Sequence, residues 1–135
     1  MTDWIQAPPG LVFAVLAVGI YGVWQFYRRA GLQQISVQQA VELINREGAL
    51  FLDVREAAEL AAGRLPQALH IPLGQLEARW PELKPHQDKP LIVNCQLGGR
   101  SMSACRILKS HGFDHIYNLS GGFSAWQQAG LPFQK

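Results

Sequence analysis

The sequence predicts an α/β domain built on a mainly parallel sheet with helices on both faces, preceded by one N-terminal transmembrane helix. Three observations predict this. From Ser36 onward, short apolar runs alternate with helix-patterned segments, the signature of strands joined by helical crossovers. Ahead of them lies a long apolar stretch without charge. Between the two halves of the alternating pattern, Val93-Asn94-Cys95-Gln96-Leu97-Gly98-Gly99-Arg100-Ser101 reads as the end of a strand, a tight loop and the start of a helix.

The chain has 135 residues, enough for one compact domain beyond the apolar stretch, and a formal charge of +2, which leaves no nucleic-acid footprint. Its two cysteines, Cys95 and Cys105, are too few for a disulfide framework, and a reducing compartment with a working thiol fits them better. The histidines His70, His86, His111 and His115 pair with no Cys or second His at zinc spacing beyond an unremarkable i, i+4 interval, so no metal is expected. No cofactor is expected either.

From Trp4 to Tyr27 there is no charged residue. A bilayer-spanning helix needs about 20 mostly apolar residues, and residues 8 to 27 supply them. Pro8 and Pro9 suit a helix start. Trp4 at one end and Trp24, Phe26 and Tyr27 at the other are expected as interfacial anchors. Arg28 and Arg29 follow at once, so the positive-inside rule places the N-terminus outside and the rest in the cytoplasm, at the inner (plasma) membrane. A cleavable signal peptide would carry its positive charge before the apolar run, not after it. An uninterrupted apolar stretch this long, hydrophobic all round, argues against a buried core helix. Gly19 and Gly22 form a small-residue notch at i, i+3 spacing, weak ground for helix association. The expected division is a tail and anchor over 1–29, a short linker over 30–34 and the domain over 35–135.

Within the domain, Ser36 and Gln39 form a capping-box pattern, followed by Val37, Ala40, Val41 and Ile44 at helical spacing and a stop at Gly48. Residues 49–53 read as a buried strand, 56–62 as a short helix closed by Gly63, and 69–71 as a brief strand before Pro72. Residues 74–80 read as one or two helical turns stopped by Pro81, and the polar stretch 82–89 with Pro85 as a loop. Residues 91–94 are the strand feeding the loop, 101–111 the helix behind it, 116–119 the last strand, and the segment after Gly121-Gly122 a final helix with Trp126 in the core. Cys95 and Asp53 then stand at the carboxyl ends of their strands, where ligands bind in parallel sheets.

The loop carries the chemistry. Its glycines let backbone N–H groups turn inward around a small pocket. The helix behind adds free N–H groups and the positive end of its dipole. A thiol there should have a lowered pKa and react as thiolate, and Arg100 suits a small anion.

Four separated stretches resemble the rhodanese-domain family: Leu52-Asp53-Val54-Arg55-Glu56, Gly63-Arg64-Leu65-Pro66-Gln67-Ala68, Cys95 to Ser101, and Gly121 to Pro132. The likeness runs from about Ile35 to Phe133, and the whole chain resembles membrane-anchored, single-domain bacterial rhodaneses. The resemblance implies the rhodanese fold with its five-stranded sheet, and a sulfurtransferase in which Cys95 takes a sulfane sulfur as a persulfide and passes it to a nucleophile. It implies that the backbone of Gln96, Leu97, Gly98, Gly99, Arg100 and Ser101 binds the persulfide and the leaving anion, and that the Arg100 side chain holds the anionic donor or the loop itself. Asp53 is then expected to brace the loop and Arg55 to add positive potential or an ion pair, with a purely fold-stabilising salt link as the plainer alternative. Arg64 stands where the family often has His and adds charge near the expected mouth. Leu97 occupies a loop position often polar in the family, which favours a hydrophobic or protein-bound donor over thiosulfate. Four residues separate Cys95 from Arg100; the related phosphatases in this fold have one more, so the loop matches the sulfur-handling version.

The expected partners are a small sulfur donor or a persulfide-carrying protein, the lipid bilayer, and a membrane protein. The rival to an enzyme is a binding module of the same fold that tethers a partner of the insertion or transport machinery at the membrane with little catalysis. Cys105, in helical register with Met102 and Leu108, is expected to be packed, against the alternative of a resolving thiol for Cys95. The sequon at Asn118 is void in a cytoplasmic domain.

Overall fold

A computed structural model of the chain describes residues 6–30 and 33–135, except for the side chains of 26–30. The backbone contacts divide it into two units, residues 1–31 and 32–135.

The first unit contains one helix, α1, Pro9–Ala30. Its apolar side chains face outward all round, with Phe13, Val18 and Ile20 each about 70 % exposed. Among the described residues no helix is long and apolar enough to cross a membrane. The expected span of 8–27 is therefore not shown by the described residues, although α1 itself runs from Pro9 to Ala30. Trp4 and the side chains of Phe26, Tyr27, Arg28 and Arg29 lie outside the described residues.

The second unit is a five-stranded, all-parallel sheet in the order β1-β5-β4-β2-β3. Its strands are β1 (Gln33–Ile35), β2 (Leu50–Asp53), β3 (Leu69–His70), β4 (Leu91–Asn94) and β5 (Ile116–Leu119). Its helices are α2 (Val37–Glu47), α3 (Leu76–Arg79), α4 (Gly99–Ser110) and α5 (Gly122–Gln128). Alternation along the central strands feeds two cores. Leu52, Leu91 and Val93 point to one face, with Leu76, Ala104 and Leu108. Phe51 and Ile92 point to the other, with Ala40, Phe123 and Trp126. Helices therefore cover both faces, which an all-parallel sheet requires.

The capping box of α2 is complete: Gln39 N–H donates to Ser36 Oγ, and Ser36 N–H donates to Gln39 Oε1. Gly48 ends the helix in the left-handed conformation.

Two segments differ from the expectation. The tail of the expected linker is β1, an edge strand in register with β5. Two of its three residues are glutamines, so no apolar pattern marks it; backbone pairing and Ile35 hold it. The expected loop after Pro81 is a 3-10 helix, Trp80–His86. Pro81 sits in its first turn, where no intrahelical N–H is needed, and Leu83 is buried against the α3 side of the core. Trp80 stacks on His111 at 4.3 Å.

β2 leads to β3 on one side and β4 leads to β5 on the other. The direction of winding thus reverses between β2 and β4, and the crevice at their carboxyl ends is where such sheets place ligands. Asp53 and Asn94 stand opposite each other at that rim.

Leu83→Ala should lower unfolding stability by about 2–5 kcal/mol in a urea titration, as a buried leucine does. A shift under about 0.5 kcal/mol, typical of an exposed loop, would refute the docked 3-10 helix.

Candidate active site

β4 delivers Cys95 to the centre of the rim, and α4 begins four residues later at Gly99. Gly98 has φ +109°, a value L side chains rarely adopt. That turn folds the loop back on its first residue. Gly98 N–H points at Cys95 Sγ at 3.0 Å, and Ser101 N–H, in the first turn of α4, at 3.4 Å. Cys95 itself is only 1 % exposed, so a reacting sulfur must enter the ring to meet it.

The loop is held from behind by α5. Phe123 N–H donates to Cys95 C=O at 2.8 Å, and Ser124 N–H to Gln96 C=O at 3.1 Å. These bonds turn both carbonyls outward, leaving the N–H groups to face the sulfur. The approach needs Gly122: a Cβ there would lie 2.4 Å from the Cys95 carbonyl oxygen, and its φ is +58°.

Ser101 Oγ lies 3.5 Å from Cys95 Sγ and within hydrogen-bond reach of Asn118 Oδ1 and Gly98 C=O. The hydroxyl has one proton to give. With a thiol present, the S–H donates to Ser101 Oγ, and Ser101 donates to Asn118. With a thiolate, the hydroxyl turns to Sγ. Asn118 Nδ2 also donates to Gly98 C=O, which ties β5 to the loop. Burial pushes the Cys95 thiol up, but the Ser101 hydroxyl and the N–H groups of Ser101, Gly98 and Leu97 together outweigh it, and the thiol ends below its ordinary value.

Asp53 and Arg55 form a buried ion pair, both side chains 1 % exposed. Arg55 donates from Nε and Nη2 to Asp53, from Nη2 to Gly63 C=O at 2.8 Å, and from Nη1 to Gln96 Oε1 at 3.2 Å. Its guanidinium lies 4.5 Å over the Phe123 ring. The brace on the loop therefore runs from Asp53 through Arg55 to Gln96 and Phe123. Arg100 is gripped by Glu59, Nη1 to Oε1 at 2.5 Å and Nη2 to Oε2 at 2.8 Å. The Arg100 bond holds the Glu59 carboxyl down at about 2.

Leu97 is 73 % exposed at the tip of the loop, and Gly99 is exposed beside it. Arg64 is not joined to the loop by any hydrogen bond or ion pair among the described residues. Its backbone pairs with Gln134 and its side chain is exposed. Cys105 is buried in the core against Ala104 and Leu108, and burial pushes its thiol up to about 12, the state of a packed thiol rather than a nucleophile.

Three contributors escaped the reading of the sequence. Glu59 is 41 residues from Arg100, and no spacing rule joins them. Gly122 reads in the sequence as a helix start and as part of the resembling stretch Gly121 to Pro132, with nothing to show its contact with Cys95. Asn118 did leave a signal, a polar residue inside an apolar strand, which in a buried position needs a hydrogen-bond partner.

A thiol at the floor of a six-residue backbone ring, set at the rim of this sheet, defines the class: the chain belongs to the rhodanese-like domain family, whose model matches residues 36–129. Within that family it is a rhodanese-type sulfurtransferase. It is 37 % identical over 90 residues to a sulfurtransferase of Allochromatium vinosum, covering 67 % of this chain and 82 % of the relative. It is 35 % identical over 104 residues to the thiosulfate sulfurtransferase GlpE of Actinobacillus succinogenes, covering 75 % and 89 %. The structure of a rhodanese-related protein from Thermoplasma volcanium superposes with a TM-score of 0.68 at 32 % identity, covering 75 % of this chain and 96 % of that one.

Ser101→Ala removes the largest of the influences that lower the Cys95 thiol. Its titration midpoint, followed by thiolate absorbance near 240 nm, should move upward, and alkylation of Cys95 at neutral pH should slow severalfold. An unmoved midpoint would assign the lowering to the backbone alone.

Proposed function

We propose that the protein moves a sulfane sulfur through a persulfide on Cys95 in two half-reactions. The observation that carries this is the pair of N–H groups, Gly98 and Ser101, aimed at Cys95 Sγ. In the first half-reaction the thiolate attacks the outer sulfur of a donor such as thiosulfate. A new S–S bond forms on Cys95, the donor's S–S bond breaks, and sulfite leaves with its electron pair. The charge, three negative in all, is conserved. In the second, a nucleophile such as cyanide or a thiolate attacks the terminal sulfur, and the Cys95 thiolate leaves with the S–S electron pair. The same N–H groups hold the negative charge on the thiolate, on the persulfide and in the transfer between them, so no reorganisation accompanies the step.

Gln96, Leu97, Gly98, Gly99, Arg100 and Ser101 form the ring around that charge in this reading. Asp53 and Arg55 hold it in shape from behind. Leu97 at the open tip supports a hydrophobic or protein-bound donor. Arg64 supplies general positive potential only.

We also propose that α1 anchors the domain as a single-pass helix in the inner membrane, with the N-terminus outside and residues 35–135 in the cytoplasm. Its support is a helix of 22 residues, the absence of charge from Trp4 to Tyr27, and Arg28-Arg29 immediately after. The anchor would place the sulfur site near a membrane-bound donor, acceptor or protein partner, and the same anchor would serve a tethering module. The reactive ring around Cys95 favours the enzyme, since docking alone requires no thiolate.

Incubating the reduced full chain with thiosulfate should add about 32 Da, one sulfur atom on a thiolate nucleophile. Cyanide should remove it, and Cys95→Ser but not Cys105→Ser should abolish it. No gain with a freely alkylating Cys95 would turn the reading toward tethering. In membranes from expressing cells, the chain should stay in the pellet through an alkaline carbonate wash; release to the supernatant would remove the anchor.

A further inference from the structure

We propose that Glu59 is a charge filter at the site, setting it to prefer singly charged persulfide donors over doubly charged ones such as thiosulfate. The inference rests on the reading of Cys95 as the sulfur-accepting nucleophile.

Both arginines of the site are already matched. Glu59 accepts from both terminal nitrogens of Arg100, at 2.5 and 2.8 Å. That two-pronged face is the one a guanidinium offers to a sulfonate or carboxylate ligand. Asp53 takes Nε and Nη2 of Arg55, whose other bonds go to Gly63 C=O, Glu59 C=O and Gln96 Oε1. The four side chains sum to zero charge. Among the described residues Arg64 is not joined to them, and its backbone is held at Gln134.

What remains for an anion is the set of N–H groups at Cys95 Sγ, with the Glu59-held Arg100 guanidinium close enough to attract the same sulfur. They suit one negative charge, first the thiolate and then the persulfide that replaces it. A monoanionic persulfide donor brings one charge at the reacting end and is met by them. Thiosulfate brings a second charge on its outer oxygens, where Arg100 is taken and the Glu59 carboxylate repels it. The rim supports the same preference. Ala57, Ala58, Ala61 and Ala62 flank Glu59 and are exposed, as is Leu97, so the surface around the ion pair is small and apolar rather than basic. The side chains of Arg100 and Glu59 are 39 % and 31 % exposed, so solvent screens the filter in part and the discrimination is graded.

The test is the rate of Cys95 alkylation in the full chain by iodoacetate and by iodoacetamide. The two reagents share a leaving group and differ by one charge. Both consume the thiolate, so their rate ratio cancels any change in the thiol pKa, and Cys95→Ser corrects for Cys105. Glu59→Gln should raise the iodoacetate-to-iodoacetamide ratio about tenfold at low salt, the scale of one partly screened charge a few ångströms away. The gain should shrink in about 0.5 M salt. The thiosulfate concentration that half-saturates persulfide formation should fall alongside. A ratio unchanged within about twofold would overturn the filter. If Glu59→Gln does not fold, the wild-type ratio decides. A neutral mouth gives a ratio that does not fall as salt is raised, and a falling ratio would show a free positive charge and overturn the proposal. The ratio is readable whether or not sulfur is transferred, so its failure stands apart from a missing mass gain on Cys95, which would instead refute the persulfide.

Discussion

The site depends on one buried guanidinium. Arg55 leaves the end of β2 and reaches Asp53, the 57–63 segment through the carbonyls of Glu59 and Gly63, the 95–101 loop through Gln96, and α5 through the face of Phe123. Segments from three distant parts of the chain, 53–63, 96 and 123, are thereby set by a single planar group. At 1 % exposure the charge has no water to fall back on. Removing Asp53 alone would leave it uncompensated, a change that costs about 3–5 kcal/mol in buried pairs. The pair thus serves the architecture of the site more than its charge, because Asp53 cancels what Arg55 brings.

The two cysteines show how a buried thiol can still be held below its ordinary value. Both lie at equal burial in one core and behave in opposite ways. Cys105 packs in the apolar core, and desolvation pushes it up to about 12 against the pull of the Lys109 charge. Cys95 is also raised by burial and is then lowered by more than that by the Ser101 hydroxyl and three backbone N–H groups. The difference is orientation. α5 draws the carbonyls of Cys95 and Gln96 backward, so the dipoles left facing the sulfur are all of one sign. Gly122 makes this possible by letting two backbones approach where any side chain would collide.

Much of this was legible before any coordinates. Strands β2, β4 and β5 are short apolar runs, and α2 is marked by a capping box and a glycine stop, so periodicity and punctuation locate them. The loop was legible because Cys, paired Gly and Arg in that order have few other uses between a strand and a helix. What periodicity could not give is anything held by backbone alone or across long separations. β1 has a polar sequence and exists because β5 offers it an edge. The 3-10 helix after Trp80 hides behind two prolines that are ordinarily read as breaks. Glu59 and Arg100 meet only once the fold has closed; the sequence read alone leaves Arg100 to hold an anionic donor or the loop itself.

The groups that address the sulfur at Gly98, Ser101 and Leu97 belong to the main chain, and the main chain is shared by nearly every side chain the loop could carry. Only the glycines that permit the turn and the serine that lends its hydroxyl are bound to their identities by the chemistry. Gln96 and Leu97 are freer, and Leu97 stands in solvent. A protein built this way separates how it reacts from whom it meets. Its tip can drift toward new surfaces over generations while the reaction beneath is inherited unchanged.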